Sequence, residues 1–323
     1  MEKIIVAGGN GFIGSHLVQK LLKDNHEVFI LDADINYFNP ISPLALKNLE
    51  WRKKYLTKGA KIYQVNLNDV KKIEKIVKDL SPTHIINLAA LPLAKNAIKD
   101  TDDAFKSIIE NAKNFMEILR NQKINTKFTH ISSSMIYGDF EREPNHEEAK
   151  KNPKEIYGSF KYASEIVVSA YSKIFGIYLN IVRPTAVYGP TDNNQRVIQK
   201  FIHAAIENKT IYASNPENNY LDFTYVEDAA QGIKCVALSD APSGEAFNIS
   251  YGKANSVMDV INELKHYFPN INFESKKNES FYPKRGSLDI SKAIRLTKYK
   301  PKISLPEGIK KYLDFFKSNF GNL

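Results

Sequence analysis

Tyr157 and Lys161 stand four residues apart in the segment YGSFK. On a helix that spacing puts both side chains on one face. An ammonium beside a phenol favours the phenolate and lowers its pKa. A phenolate so placed can take a hydroxyl proton while a hydride leaves the same carbon for an oxidised cofactor. Of the 17 tyrosines, Tyr157 alone has a lysine four residues on. One strand–helix step upstream, SSSMIYG supplies three hydroxyls, Ser132, Ser133 and Ser134, after the apolar run KFTHI. A serine run after a strand is also an ordinary loop that satisfies its own backbone. The serines alone therefore define no site.

The stretch AGGNGFIG carries Gly8, Gly11 and Gly14 between a strand, KIIVAGG, and a helix, SHLVQKLLKDN. Glycines at this spacing tighten the turn and let backbone approach a pyrophosphate. The N–H groups of Phe12, Ile13 and Gly14 open the helix that would face those phosphates. Asp32 closes the second strand, EVFILD, where a carboxylate accepts both ribose hydroxyls and repels a 2′-phosphate. No arginine follows it in DADINYF, so the reading favours NAD over NADP. Asp34 is the second candidate carboxylate. In NLND after the third strand, Asn66 and the backbone of Leu67 are placed to hold the adenine edge, with Asn68 as a helix cap.

Those groups need a frame. Apolar runs alternate with helix-periodic segments through DVKKIEKIVKDL, THIINLAA, AFKSIIENAKNFMEILRNQ, KFTHISS, IYGSFKYASEIVVSAYSKIF and IYLNIVRP. Strands that are apolar throughout belong to a parallel sheet covered on both faces. The order predicts an α/β fold, a Rossmann-like doubly wound parallel sheet, over residues 1–185, joined by part of 222–252. After RPTAVYGP the rhythm breaks. Residues 186–221 and 253–323 read as a smaller C-terminal α/β substrate lobe, with helices at VIQKFIHAAIENK, SVMDVINELKHYF and LPEGIKKYLDFF.

The chain has 323 residues, 43% of them apolar, enough for a sizeable core. Its single cysteine, Cys235, has no internal disulfide partner. No signal peptide or membrane-length apolar run is apparent, and the reading is a cytoplasmic protein without a membrane partner. The net charge is +9, but lysines are spread along helices among acids, which argues against nucleic acid as partner. The seven histidines show no ligand spacing, so no metal is expected, and His130 reads as a satisfied core residue.

Taken in order, the glycine motif, Asp32, NLAA, SSSMIYG, YGSFK, RPTAVYGP, LDFTYVEDAA and PKRGSLDISKA resemble the extended short-chain dehydrogenase/reductase superfamily, in its NAD-dependent nucleotide-sugar epimerase/dehydratase branch. The resemblance spans nearly the whole chain. It implies that Tyr157 is the base, Lys161 its partner on the nicotinamide ribose, and Ser133 the hydroxyl on the reacting sugar oxygen, with Ser134 beside it. It places Leu88, Ala89 and Ala90 of NLAA, and Pro184, against the cofactor. It places Arg285 of PKRGSLDI on the substrate pyrophosphate, and Arg196 of NNQRVIQKF near the nucleotide diphosphate, where an arginine fork suits phosphate. It also implies a homodimer through a helix bundle that uses the Tyr/Lys helix.

Departures from the family pattern narrow the reaction. The family's 4,6-dehydratases have Asp and Glu after the serine or threonine; here those positions are Ser134 and Met135, so elimination of water is disfavoured. What remains is epimerisation, most simply at C4 through a transient 4-keto sugar with NAD retained. A keto-sugar reductase or uronate decarboxylase of the same fold is the rival. Ala186 and Leu221 replace a family Asn and Arg, so nucleotide recognition differs from the common pattern. Asp228 reads as a helix anchor. Leu91 and Lys95 border the sugar, where Lys95 could face a uronate carboxylate.

Overall fold

The computed structural model describes residues 1–35, 41–276 and 283–321. Of DADINYF, residues 36–38 lie outside the described residues. In chain order the first half contains β1 Lys3–Ala7, α1 Phe12–Lys23, β2 Glu27–Asp32, α2 Pro43–Tyr55, β3 Lys61–Gln64, α3 Val70–Leu80 and β4 His84–Asn87. Two short helices follow, α4 Ala94–Lys99 and α5 Thr101–Phe105, then a π turn at Lys106–Glu110 that runs into α6 Asn111–Gln122. β5 Lys127–Ile131, α7 Ile156–Phe175 and β6 Leu179–Pro184 complete that half. The second half holds β7 Val187–Tyr188, α8 Val197–Ile206, β8 Ile211–Ser214, β9 Tyr220–Leu221, β10 Thr224–Tyr225 and α9 Val226–Ala237. It ends with β11 Glu245–Ile249, β12 Asn255–Ser256, α10 Val257–Tyr267, β13 Phe273–Lys276, α11 Ser291–Thr297 and α12 Leu305–Phe320.

Seven strands form one parallel sheet in the order β3–β2–β1–β4–β5–β6–β11. Side chains alternate across it. Ile4 and Val6 of β1 pack with Leu17, Leu21 and Ile233 of α1 and α9, while Ile5 and Ala7 pack with Ile73, Phe115 and Val168 of α3, α6 and α7. Each fully buried Leu or Ile contributes about 1.5–3 kcal/mol. Both faces are thus covered, which explains the unbroken apolar runs. The strand order turns back between β1 and β4. At such a point the carboxyl ends of the strands leave a crevice for ligand.

A separate apolar cluster joins α8, α10 and α12 with Phe223, Tyr225 and Ile271. α11 packs on β11 and α9 instead, against the sheet. Two sequence expectations change here. Asp69, not Asn68, caps α3, accepting from Lys72 N, while Asn68 N donates to Asn66 Oδ1. Asp228 does not cap α9; it accepts from Lys302 N and Ile303 N at 2.9 and 2.7 Å and anchors the approach to α12. α2 is an element the periodicity did not single out. It crosses to the second cluster, with Trp51 edge-on to Phe315 at 4.8 Å.

Candidate active site

One cavity of about 1190 Å³ runs along the carboxyl ends of the strands. Every residue that the sequence singled out for catalysis, cofactor or substrate lines it. The cofactor set is Gly8, Gly11, Phe12, Ile13, Gly14, Asp32, Asn66, Leu67, Leu88, Ala89, Ala90, Lys161 and Pro184. Ser133, Ser134, Tyr157, Arg196 and Arg285 line it as well. Leu91, Lys95 and Met135 are on its wall too.

The turn into α1 has the shape a dinucleotide needs. A Cβ on Gly14 would lie 2.2 Å from Gly8 O, so any side chain there would push the backbone apart. The α1 N-cap, Gly11, offers no side-chain acceptor, and the first-turn N–H groups stay open to the cavity. Asp32 accepts from Asn10 N and Asp34 N, both at 2.9 Å, and each oxygen keeps a lone pair for a ribose hydroxyl. Burial raises its pKa against those two hydrogen bonds. Asn10 Oδ1, buried on the same wall, has no partner. The residues present therefore fit NAD.

β5 delivers the serine loop and α7 delivers the base. Ser133 caps a one-turn helix at Ser134–Tyr137 and accepts from Met135 N at 3.2 Å. Glu155 caps α7 with both oxygens, accepting from Tyr157 N and Gly158 N at 2.7 Å each. Lys161 is buried and donates to Ile131 O at 2.8 Å, and its Nζ lies 5.9 Å from the Tyr157 ring centre. Burial lowers the Lys161 pKa to about 8.

The Tyr157 phenol does not follow the simple expectation. Burial raises its pKa; Arg196 is the cation that opposes this, Glu155 adds to the rise, and a hydrogen bond with Ser133 opposes it. Arg196 thus acts toward the catalytic corner as well as the cavity mouth. His130, read as a satisfied core residue, is half so. Nε2 meets Ser164 Oγ at 2.9 Å, while Nδ1 has no partner. Burial holds its pKa near 3, so it is neutral.

The sequence reading missed the frame that holds the serine loop. Arg183 forms a two-pronged pair with Glu165 at 2.9 and 2.7 Å and donates to Tyr137 Oη at 3.0 Å. Tyr137 Oη donates to Asn248 Oδ1 at 2.7 Å, so the serine loop is tied to β6, α7 and β11. The Arg-Pro and Tyr-Gly pairs were visible signals, but nothing local linked them. No group of three or more His, Cys, Asp or Glu suited to a metal occurs among the described residues.

A doubly wound sheet, an open glycine turn and a Ser133–Tyr157–Lys161 corner in one cavity define an enzyme of the short-chain dehydrogenase/reductase type. The sequence model of the NAD dependent epimerase/dehydratase family matches residues 4–250, and the chain belongs to that family. A Methanocaldococcus jannaschii protein, provisionally named a UDP-glucose 4-epimerase, is 31% identical over 98% of this chain and 99% of its own. The UDP-glucuronate 4-epimerase of Thermodesulfobacterium geofontis is 28% identical over 99% and 97%. The crystal structure of UDP-glucuronic acid 4-epimerase from Bacillus cereus, in complex with UDP-glucuronic acid and NAD, superposes with a TM-score of 0.88 at 28% identity, covering 98% of this chain and 99% of that one.

Proposed function

We propose that this protein is an NAD-dependent nucleotide-sugar 4-epimerase that keeps its cofactor through the cycle. The observation that carries the reading is the Ser133–Tyr157–Lys161 corner at the end of the glycine-turn cavity, with Ser134 and Met135 where a dehydratase needs ionisable groups. The relatives' names make UDP-linked hexoses and hexuronates the first substrates to try.

Bound NAD supplies a reversible hydride acceptor. The chain does the rest. Tyr157 takes the proton of the C4 hydroxyl as hydride leaves C4, and Ser133 Oγ steadies that oxygen. Lys161 would support the ribose, and Arg196, with the positive nicotinamide of bound NAD added, would supply the field that frees the Tyr157 proton against its burial. The 4-keto sugar would turn within the cavity and take the hydride back on its other face, and Tyr157 would give the proton back. Atoms and charge balance with no net oxidant. Arg196 and Arg285 are the proposed holders of the diphosphate. The glycine-turn residues, Asp32, Asn66, Leu67, Leu88, Ala89, Ala90, Lys161 and Pro184 are the proposed cofactor contacts.

The wider setting belongs to the same proposal. A Rossmann domain at 1–185 and part of 222–252, with α11 packed on its sheet, would carry NAD, and 186–221 with the rest of 253–323 the substrate. The enzyme would work in the cytoplasm on precursors of surface glycans; no helix of the described residues is long and apolar enough to cross a membrane. A homodimer across α7 would cover its exposed Ile166 and Ile174, 55% and 73% exposed.

The test is NMR of the purified protein with UDP-, GDP-, CDP- and dTDP-linked sugars, uronates included, and no added cofactor. A new epimer of unchanged mass supports the reading. Conversion only on addition of NAD or NAD(P)H, with a change in mass, replaces it with a net oxidoreductase.

A further inference from the structure

A second charged cluster lies outside the catalytic corner, where α2 meets the 189–196 segment. Asp192 is 1% exposed. Its Oδ1 accepts from Asn194 N at 3.0 Å and Asn194 Nδ2 at 2.8 Å. Its Oδ2 makes no hydrogen bond and lies 3.7 Å from Arg196 Nη1. On its other side, buried Arg52 of α2 donates Nη1 to Thr191 O at 3.1 Å, and its Nε has no partner. The acids that support the Arg52 charge against burial are Asp192, then Asp32 and Asp34, the pair at the cofactor's ribose position. Asn48 and Asn193 brace the junction, with Asn48 Nδ2 donating to Asn193 Oδ1 at 2.9 Å and Asn193 Nδ2 to Ala45 O at 3.0 Å.

A carboxylate this buried is costly unless cations and donors offset it. Arg52 and Asn194 go some way toward that, yet Oδ2 is left turned to Arg196. Arg196 is not a core residue. It is partly exposed, opens α8, and donates Nη1 to Val187 O at 3.2 Å. Two acceptors on one edge of a guanidinium leave its other N–H donors free to point into the cavity. We propose that Asp192 is a positioning residue that aims Arg196 at the phosphates of the nucleotide sugar. The proposal rests on the nucleotide-sugar reading above.

Asp192→Asn keeps the shape and removes the charge. The experiment is calorimetric binding of UDP, GDP, CDP and dTDP to the full-length, NAD-loaded protein, for wild type, Asp192→Asn, Arg196→Gln and the double variant. The expected result is about tenfold weaker binding of the preferred nucleotide for each single variant, near 1.4 kcal/mol. The double variant binds no more weakly than Arg196→Gln, because Asp192 acts through Arg196. In turnover, the rise in KM for Asp192→Asn exceeds any change in kcat. Wild-type affinity in Asp192→Asn, or losses that multiply in the double variant, would overturn the proposal. If Asp192→Asn does not fold, Asn194→Ala loosens the same carboxylate; it should weaken binding about threefold in wild type and not at all beside Arg196→Gln, and any other pattern rejects the role. If the wild type binds none of the four nucleotides, the nucleotide-sugar reading itself is overturned, and this with it.

Discussion

Tyr157 is half-buried, capped from below by Glu155 and faced by Ser133, with Arg196 as the opposing cation. Its proposed work is the movement of one proton. Tyr157→Phe removes that proton and keeps the ring, so kcat should fall by about 10²–10⁴-fold while NAD released from the denatured protein stays at the wild-type amount. Full turnover in that variant ends the mechanism. Ser133→Ala should cost far more than Ser132→Ala, since Ser133 is the one of the two that lowers the Tyr157 pKa. A different residue sets a pH dependence. His130 stays neutral in the fold down to about pH 3, whereas the unfolded chain protonates it near pH 6.5. Below pH 6.5 the unfolded state therefore binds the extra proton, and stability falls with pH. Between pH 7 and 5 His130 should cost about 2 kcal/mol of stability. Urea midpoints of wild type and His130→Gln should converge by that amount; a constant gap across the range would show that His130 is not the group. At this scale the sequence was legible where spacing is local. Tyr157 with Lys161, Gly14 after Gly8, and Asp32 at a strand end needed no fold to be seen. Arg52 and Glu155 did, because Arg52 meets a backbone group more than a hundred positions away and Glu155 holds backbone N–H groups; Asp192 has local partners, but its burial is set by the fold.

α7 is the element on which the site depends, and its limits were readable. The apolar repeat runs from Ile156 to Phe175, and Gly176 ends it in the left-handed conformation that other residues adopt at a cost. Its start was less plain. Glu155 is an unusual cap that holds two N–H groups. Glu155→Ala should lower stability by about 1–2 kcal/mol, read as a shift in denaturant midpoint. It should also lower kcat, since the Tyr157 backbone loses its hold; a shift in stability with kcat intact would confine Glu155 to the fold. The turn before α1 gives a second test. Gly14→Ala puts a methyl 2.2 Å from Gly8 O, so purified protein should carry less than about a tenth of the wild-type NAD. α2 escaped notice because PLALKNLEWRKKY is mostly polar, and its buried side chains, Asn48 and Arg52, are not apolar at all. Periodicity of hydrophobic residues cannot find a helix that docks through an amide and a guanidinium.

At the scale of the whole molecule, α2 is one of the elements that reach the apolar cluster of α8, α10 and α12. Trp51 stacks edge-on against Phe315 and donates to Asn319 Oδ1 at 3.0 Å. Trp51→Ala should cost about 1–3 kcal/mol and speed the loss of NAD on dilution, measured by nucleotide fluorescence. Unchanged NAD retention would separate that bridge from the cofactor. The sheet carries another consequence. Its seventh strand, Glu245–Ile249, lies sixty residues beyond its neighbour Leu179–Pro184, with α8 and several short strands between. During synthesis the chain leaves the ribosome from its N-terminus, so β6 emerges with its outer edge unpaired. At about 5–20 residues per second, that edge stays open for several seconds until β11 arrives. For that interval a nascent chain offers any neighbour on the same message a free parallel template. Slow translation through 185–244 would lengthen the exposure, and with it the share of product lost to aggregation before the enzyme exists.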